Sequence, residues 1–337
     1  MKSRFYEGKV ILITGGAGSI GSELVKTILR LNPAVVRILD NNETALFNLE
    51  QELQSDKIRV FLGDIRDKDR LKRAFEDINV VFHAAALKHV PLCEYNPFEA
   101  IKTNVGGTQN LIEVAMDENI DQFITISTDK AVNPENVMGA TKLLAERLTI
   151  SANFYKGLKP IAFSCVRFGN VLDTRGSVVP LFRKQIQKGG PVTITDPQMT
   201  RFMMKIPRAV ELMLKAAEMA QGGEIFILKM DAVSMIDLAQ VMIEKLAPLY
   251  DHSPESIQLQ EIGKRAGERL YEDLMTIDES ERGWEDEEMF VVVPPPVTMV
   301  GNLSFDLPDR FVRTQKQEYS SRKVPLLTKE EIRTKLF

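Results

Sequence analysis

The sequence predicts an α/β fold, a doubly wound parallel sheet (Rossmann type) with a smaller α/β substrate-binding domain. Three observations carry that expectation. Short apolar runs alternate six times with helix-length segments. A glycine-rich turn follows the first run. Beyond about residue 170 the alternation loosens into Gly-, Pro- and Thr-rich stretches such as Gly189-Gly190-Pro191 and Thr195-Asp196-Pro197. A length of 337 residues suits one large domain with a small companion.

The first run, Val10-Ile11-Leu12-Ile13, ends at Thr14-Gly15-Gly16, and Ile20, Leu24, Ile28 and Leu31 then recur at helical spacing. Val35 to Leu39 ends in Asp40, Ile58 to Leu62 in Gly63-Asp64, and Val80-Val81-Phe82 in His83-Ala84-Ala85-Ala86. Phe123 to Ile126 leads into Ser127-Thr128, and Ile161 to Val166 into Arg167. Parallel strands need right-handed crossovers. The ends carrying Gly15, Asp40, Asp64, Ala85, Ser127 and Arg167 should therefore share one carboxyl edge, where ligands of such sheets bind. Asn136 to Arg147 reads as a helix with Met138 and Lys142 on one face, and Arg208 to Met219 as a second amphipathic segment. Thr328-Lys329-Glu330-Glu331 has the form of a capping box and predicts a terminal helix. The acidic run Asp278 to Glu288, around the lone Trp284 and before Pro294-Pro295-Pro296, reads as a solvated loop. By this reading residues 1–172 form the sheet domain and 201–230 return to it. Residues 173–200 and 231–337 supply the second domain and a C-terminal tail.

Composition narrows the ligand classes. With 43 Lys plus Arg against 47 Asp plus Glu, a net charge of -4, no basic field exists for nucleic acid or anionic lipid. Cys93 and Cys165 lie far apart without metal-ligand spacing, and the three histidines form no H-x-x-x-H pair, so no metal is expected and the cysteines read as reduced. The polar N-terminus and the lack of a long apolar stretch lead us to expect a cytoplasmic protein with no membrane segment.

Gly15, Gly18 and Gly21 form G-x-x-G-x-x-G, and a helix opening at Ser19 and Ile20 would turn its free N–H groups toward a pyrophosphate. Asp40 ends the second run where a carboxylate accepts ribose hydroxyls, and no Arg or Lys follows in Asn41-Asn42-Glu43, so NAD is favoured over NADP. Asp64-Ile65 is placed to meet the adenine; a turn-capping role for Asp64 is the competing reading.

With His83-Ala84-Ala85-Ala86, Thr103-Asn104 and Lys142, the glycine motif resembles the extended short-chain dehydrogenase/reductase family, which acts largely on nucleotide sugars. Leu87-Lys88-His89-Val90-Pro91, Ser127-Thr128-Asp129-Lys130-Ala131, Met138-Gly139-Ala140-Thr141-Lys142, Arg167-Phe168-Gly169-Asn170-Val171 and Thr200-Arg201-Phe202 are together similar to the UDP-N-acetylglucosamine 4,6-dehydratases. One departure stands out. The wider family places a Tyr base where this chain has Met138, and a subset of the dehydratases carries Met there.

The resemblance implies oxidation at sugar carbon 4, loss of water across carbons 5 and 6, and hydride return to carbon 6. It makes Asp129 the acid and Lys130 the base, has Thr128 bond the 4-hydroxyl, and gives Lys142 the nicotinamide ribose. Ala84, Ala85, Ala86 and Thr103 would line the cofactor. Asn170, Arg201 and Arg265 would meet the diphosphate of UDP-N-acetylglucosamine, Glu268 the uridine ribose, and Ser177, Val178 and Thr195 the uracil. Lys88 and His89 would flank the sugar. The stretch from Gly222 to Met230 resembles relatives that retain configuration at carbon 5, whereas the tail from Tyr319 to Ile332 argues for inversion. A UDP-hexose 4-epimerase and a non-catalytic nucleotide-binding protein are the alternatives. Relatives with this layout pair through helices, so at least a homodimer is expected.

Overall fold

The six apolar runs become strands β1 (Val10–Thr14), β2 (Val35–Asp40), β3 (Ile58–Leu62), β4 (Val80–His83), β5 (Gln122–Thr128) and β6 (Ala162–Phe168). They are seen in a computed structural model that describes residues 4–265, 267–295, 305–335 and 337. All six pair in parallel, in the order β3-β2-β1-β4-β5-β6. Strand order reverses between β1 and β4, which opens a crevice at their carboxyl ends. β6 is buried at every position because helices cover both faces of the sheet.

Between these strands run α1 (Ser19–Leu29), α2 (Glu43–Leu53), α3 (Lys68–Phe75), α4 (Val90–Tyr95), α5 (Pro97–Ala100), a π-helical segment (Ile101–Gly107), α6 (Thr108–Asp117) and α7 (Val137–Tyr155). Asn136 caps α7 by accepting the Gly139 N–H at 2.8 Å. The remaining strands are β7 (Asn170–Val171), β8 (Val192–Ile194), β9 (Thr200–Met204), β10 (Ile225–Leu228), β11 (Asp231–Ser234) and β12 (Leu259–Glu261). They are followed by β13 (Asp273–Met275), β14 (Gly283–Glu285), β15 (Met289–Val292), β16 (Val312–Arg313) and β17 (Tyr319–Ser320). The later helices are α8 (Val178–Gln187), α9 (Ile206–Met219), α10 (Met235–Leu246), α11 (Ile277–Ser280) and α12 (Lys329–Lys335). α12 opens on the expected box, in which Thr328 and Glu331 each accept the other's backbone N–H.

The structure moves the expected boundaries. β10 joins β6 in parallel, as the return of residues 201–230 requires, but β9 instead pairs with β7 and β11 in a separate three-stranded sheet. Three later strands also leave the second domain: β15, β14 and β16 extend the large sheet antiparallel beyond β10 to ten strands. Antiparallel neighbours need only tight turns, so this extension lacks the strand-helix alternation that marks the rest of the sheet. A second core made by Val179, Phe182, Leu238, Met242 and Ile332 belongs to α8, α10 and α12.

The acidic run is not a solvated loop. It holds α11 and β14, and Pro296 at its far side lies outside the described residues. Glu279 pairs with Arg167 at 2.9 Å, Glu285 with Lys229 at 2.6 Å, Asp286 with Arg310 at 2.8 Å and Glu288 with Lys215 at 2.8 Å. Every cation in these pairs comes from elsewhere in the chain, so local charge density misrepresented the environment. Arg167, expected at the open edge, lies inside β6 at 1% exposure, braced by Glu146 of α7 and by Glu279.

Candidate active site

At the β1–α1 turn, Gly15 has φ +66°, and a Cβ there would lie 2.6 Å from Ala85 N. A Cβ on Gly21 would fall 2.2 Å from Gly15 O. Glycine is thus required at both places for the backbone to close on itself. Gly18 caps α1 without a side-chain bond, which leaves the N–H groups of the first turn available to an anion. Asp40 accepts the N–H of Ala17 at 3.1 Å and of Asn42 at 3.0 Å, holding its carboxylate at the end of β2. Those features fit a bound dinucleotide. Asp64 behaves differently. Hydrogen bonding from Arg66 engages both oxygens and holds the carboxyl below its ordinary value, as in a capped turn, while Ile65 is buried under Gly107.

His83 at the end of β4 bonds Thr14 and Thr108 through its two ring nitrogens, at 2.8 and 3.0 Å. Burial, reinforced by Lys142, pushes its pKa down to about 3, so the ring is a neutral clamp. Beyond it, Asn104 of the π-helical segment bonds both backbone groups of Leu87 and the Thr141 hydroxyl, tying residues 84–87 to α7. Thr103 beside it is half-buried.

The end of β5 carries the densest chemistry. Thr128 Oγ1 donates to Asp129 Oδ1 at 2.8 Å, and Lys130 Nζ donates to the same oxygen at 3.0 Å. Asp129 is fully buried, and its Oδ2 has no hydrogen-bond partner. Burial works against the Lys130 charge, but the carboxylates of Asp129 and Glu272 outweigh it and hold the ammonium above the ordinary lysine value. Across the crevice, buried Lys142 donates to Ile126 O at 2.6 Å, and desolvation depresses its pKa despite Glu146 one turn on. Met138, 3% exposed, packs with Cys93 and Ala100 and presents no titratable atom.

Two cavities meet at Lys130 and Asn170. The first, about 320 Å³, is lined by Ile20, Ala84, Ala86, Thr128, Met138 and Lys142, and also by Lys88, His89, Ser177 and Val178. The second is lined by Arg201, Arg265, Glu268, Arg269 and Glu272. Most of the expected substrate residues are thus brought together. Thr195 is not; its hydroxyl faces Met199 at 3.4 Å, outside both cavities. Arg201 is 7% exposed and donates to the backbone carbonyls of Thr200, Arg269 and Leu270, so it braces the cavity wall as well as facing the cavity.

Residues 11–294 match the family described as polysaccharide biosynthesis protein. The chain belongs to that family. The chain is 63% identical over 331 residues to a protein of Methanocaldococcus jannaschii named an uncharacterized membrane protein, covering 98% of this chain and 96% of that one. It is 42% identical over 291 residues to the UDP-N-acetylglucosamine 4,6-dehydratase (inverting) of Campylobacter jejuni, covering 86% of this chain and 84% of the relative. A UDP-glucose 4-epimerase of Rickettsia rickettsii is 38% identical, covering 80% and 79%. Among solved structures, Pen from Bacillus thuringiensis superimposes with a TM-score of 0.88 at 42% identity, covering 98% of this chain and 97% of that one. No helix among the described residues is long and apolar enough to cross a membrane.

Sequence reasoning missed Glu272 and Arg175, and it quoted Asn104 in the Thr103-Asn104 motif without assigning it a role. Arg175 donates from its guanidinium to Ala17 O and from its backbone N–H to Ser19 Oγ, while Lys88 donates to Arg175 O, so the segment after β7 lies across the glycine turn. Neither Glu272 nor Arg175 sits in a local pattern that marks a site.

Proposed function

We propose that the protein is a UDP-N-acetylglucosamine 4,6-dehydratase, forming a UDP-4-keto-6-deoxy-N-acetylhexosamine. The observation that carries this reading is the hydrogen-bonded Thr128–Asp129–Lys130 unit at the end of β5, where a cavity lined by Ile20, Ala84 and Lys142 meets a second lined by arginines. Bound NAD would supply the hydride chemistry, accepting a hydride from sugar carbon 4 and giving it back at carbon 6. The N–H groups at Gly18 to Gly21 and the Asp40 carboxylate would hold its pyrophosphate and ribose, and Lys142 its second ribose. Asp40 favours NAD over NADP by repelling a 2′-phosphate.

Thr128 orients the 4-hydroxyl. With Met138 unable to take that proton, Thr128 passes it to an ordered water. For the elimination, the Lys130 proton moves to Asp129 Oδ1 across their 3.0 Å hydrogen bond, leaving an amine beside a carboxylic acid. The amine takes the carbon 5 proton and Asp129 protonates the departing 6-hydroxyl, which restores the ammonium–carboxylate pair; as hydride would add to carbon 6, the Lys130 ammonium, exchanged with solvent, gives a proton to carbon 5, and the proton released from the 4-hydroxyl to water replaces it. Arg265 and Asn170 face the diphosphate and Glu268 the uridine ribose, while Ser177 and Val178 line the first cavity and not the one that holds Glu268. Retention at carbon 5 is the proposed outcome, and the cytoplasm the proposed site of action. Leu92, Tyr95, Phe98 and Ile101, on α4, α5 and the π-helical segment, are 47–87% exposed and support pairing of two copies through this face.

Incubation with UDP-N-acetylglucosamine in deuterated water, followed by NMR, tests the reading. A 6-deoxy-4-keto product with deuterium at carbon 5 is the expected result, and its couplings give the stereochemistry. A carbon 4 epimer identifies the epimerase, and no turnover by folded, NAD-loaded protein rejects both.

A further inference from the structure

Glu272 lies immediately before β13 and is 3% exposed. Its backbone is pinned on both sides, the N–H donating to Ser321 Oγ at 3.0 Å and the carbonyl accepting Ser321 N–H at 2.9 Å. The carboxylate is thereby delivered from the C-terminal third of the chain to the active-site lysine. Its Oε1 is 3.4 Å from Lys130 Nζ and 3.7 Å from Arg201 Nε, while Oε2 is buried without a hydrogen-bond partner. A buried carboxylate in a cavity that gathers arginines runs against the logic of an anion site. That cost needs a reason, and Lys130 supplies one.

We propose that Glu272 is a positioning residue that holds Lys130 Nζ between two carboxylates, Asp129 on the sugar side and Glu272 on the diphosphate side, and so sets the pH at which Lys130 becomes a base. The proposal deepens the dehydratase reading and rests on it. The charged groups around this pair are Asp129, Arg201 and Arg269, with Glu135, Arg265 and Glu268 on the rest of the cavity wall. Burial, with the Asp129 charge, raises the Glu272 carboxyl above its ordinary value, and Lys130, Arg201 and Arg269 offset only part of that rise. With Glu272 ionised, two anions keep Lys130 an ammonium until substrate arrives, and the proton then moves within the Lys130–Asp129 pair. With Glu272 neutralised, one anion remains and the amine forms at lower pH.

The test is Glu272→Gln, which keeps shape and removes charge. The 13Cε resonance of Lys130, identified by its loss in Lys130→Arg, is followed from pH 7 to pH 11 in the NAD-loaded protein, beside the pH profile of carbon 5 deuterium exchange. In the native protein Lys130 should keep its ammonium shift to about pH 10. In Glu272→Gln the midpoint should fall by about one to three pH units, and the exchange profile should move with it. Glu272→Asp, which keeps the charge at greater distance, should lie between the two and serves if the Gln variant folds poorly. A merely structural Glu272 would lower exchange at every pH without moving either midpoint, and an unmoved Lys130 resonance overturns the proposal. A shifted resonance in a protein that exchanges no carbon 5 hydrogen leaves the Glu272 coupling standing and rejects the dehydratase reading instead.

Discussion

Replacing Arg167 by Met removes the guanidinium placed between the buried carboxylates of Glu146 and Glu279. Arg167 donates to Glu146 at 3.0 and 2.7 Å, to Glu279 at 2.9 Å through two nitrogens, and to Leu274 O at 2.9 Å. It thus bolts β6 to α7, which carries Met138 and Lys142, and to α11. Breaking a buried pair by deleting one partner costs about 3–5 kcal/mol. Unfolding entropy near 2.1 cal/mol/K per residue gives about 0.7 kcal/mol/K for a chain of 337 residues, so Tm should fall by about 4–7 °C. The pH dependence identifies the cause. In the native protein burial opposes the Glu279 charge but Arg167 outweighs it, so its carboxyl sits below the ordinary value. A depressed carboxyl contributes stability above its unfolded pKa, about 4.3, and loses it as pH falls through the folded value. In the variant, burial without Arg167 raises the Glu279 carboxyl, and protonation relieves it as pH drops. The gap between native and variant should therefore be widest near pH 7.5 and narrow toward pH 5. Thermal melts followed by circular dichroism at both pH values measure it. A Tm change below about 1 °C, or a gap independent of pH, would refute the view that this network carries substantial stability.

The other predictions concern the site more directly. Gly15→Ala should abolish NAD binding, because the left-handed backbone costs about 1–2 kcal/mol and the new Cβ would lie 2.6 Å from Ala85 N; calorimetric titration with NAD showing native affinity contradicts this. Lys130→Ala should abolish carbon 5 exchange while NAD stays bound, and persistent exchange would mean the base lies elsewhere. Asn104→Ala removes the clamp on residues 84–87 and should cost about 1–3 kcal/mol by urea unfolding, with hydrogen exchange accelerated at Leu87. Phe98→Glu should yield monomers in analytical ultracentrifugation, since it puts charge on a side chain 75% exposed within the apolar face; an unchanged sedimentation coefficient assigns assembly to another surface.

Much of the sheet was legible because its information is local. Six apolar runs became six parallel strands, Asn136 and Thr328 capped the helices they announced, and the glycines fell where the backbone crosses itself. Thr128, Lys130, Met138 and Lys142 were legible as a group, since the ends of adjacent parallel strands and the next helix must converge.

Contacts between segments far apart in the chain were not legible. The acidic run looked solvated until Arg167, Lys215, Lys229 and Arg310 were found against it, and β14 to β16 joined the sheet without the alternation that marks parallel strands. Glu272 stands 142 positions from Lys130 and gives no local sign that the two meet. The sequence alone determined the fold class, the cofactor turn and the Thr128 to Lys130 unit, because periodicity and backbone sterics act over a few residues. Tertiary structure alone decided which charges are paired and which carboxylates hold Lys130, because electrostatic partnership depends on distance in space, whatever the separation along the chain.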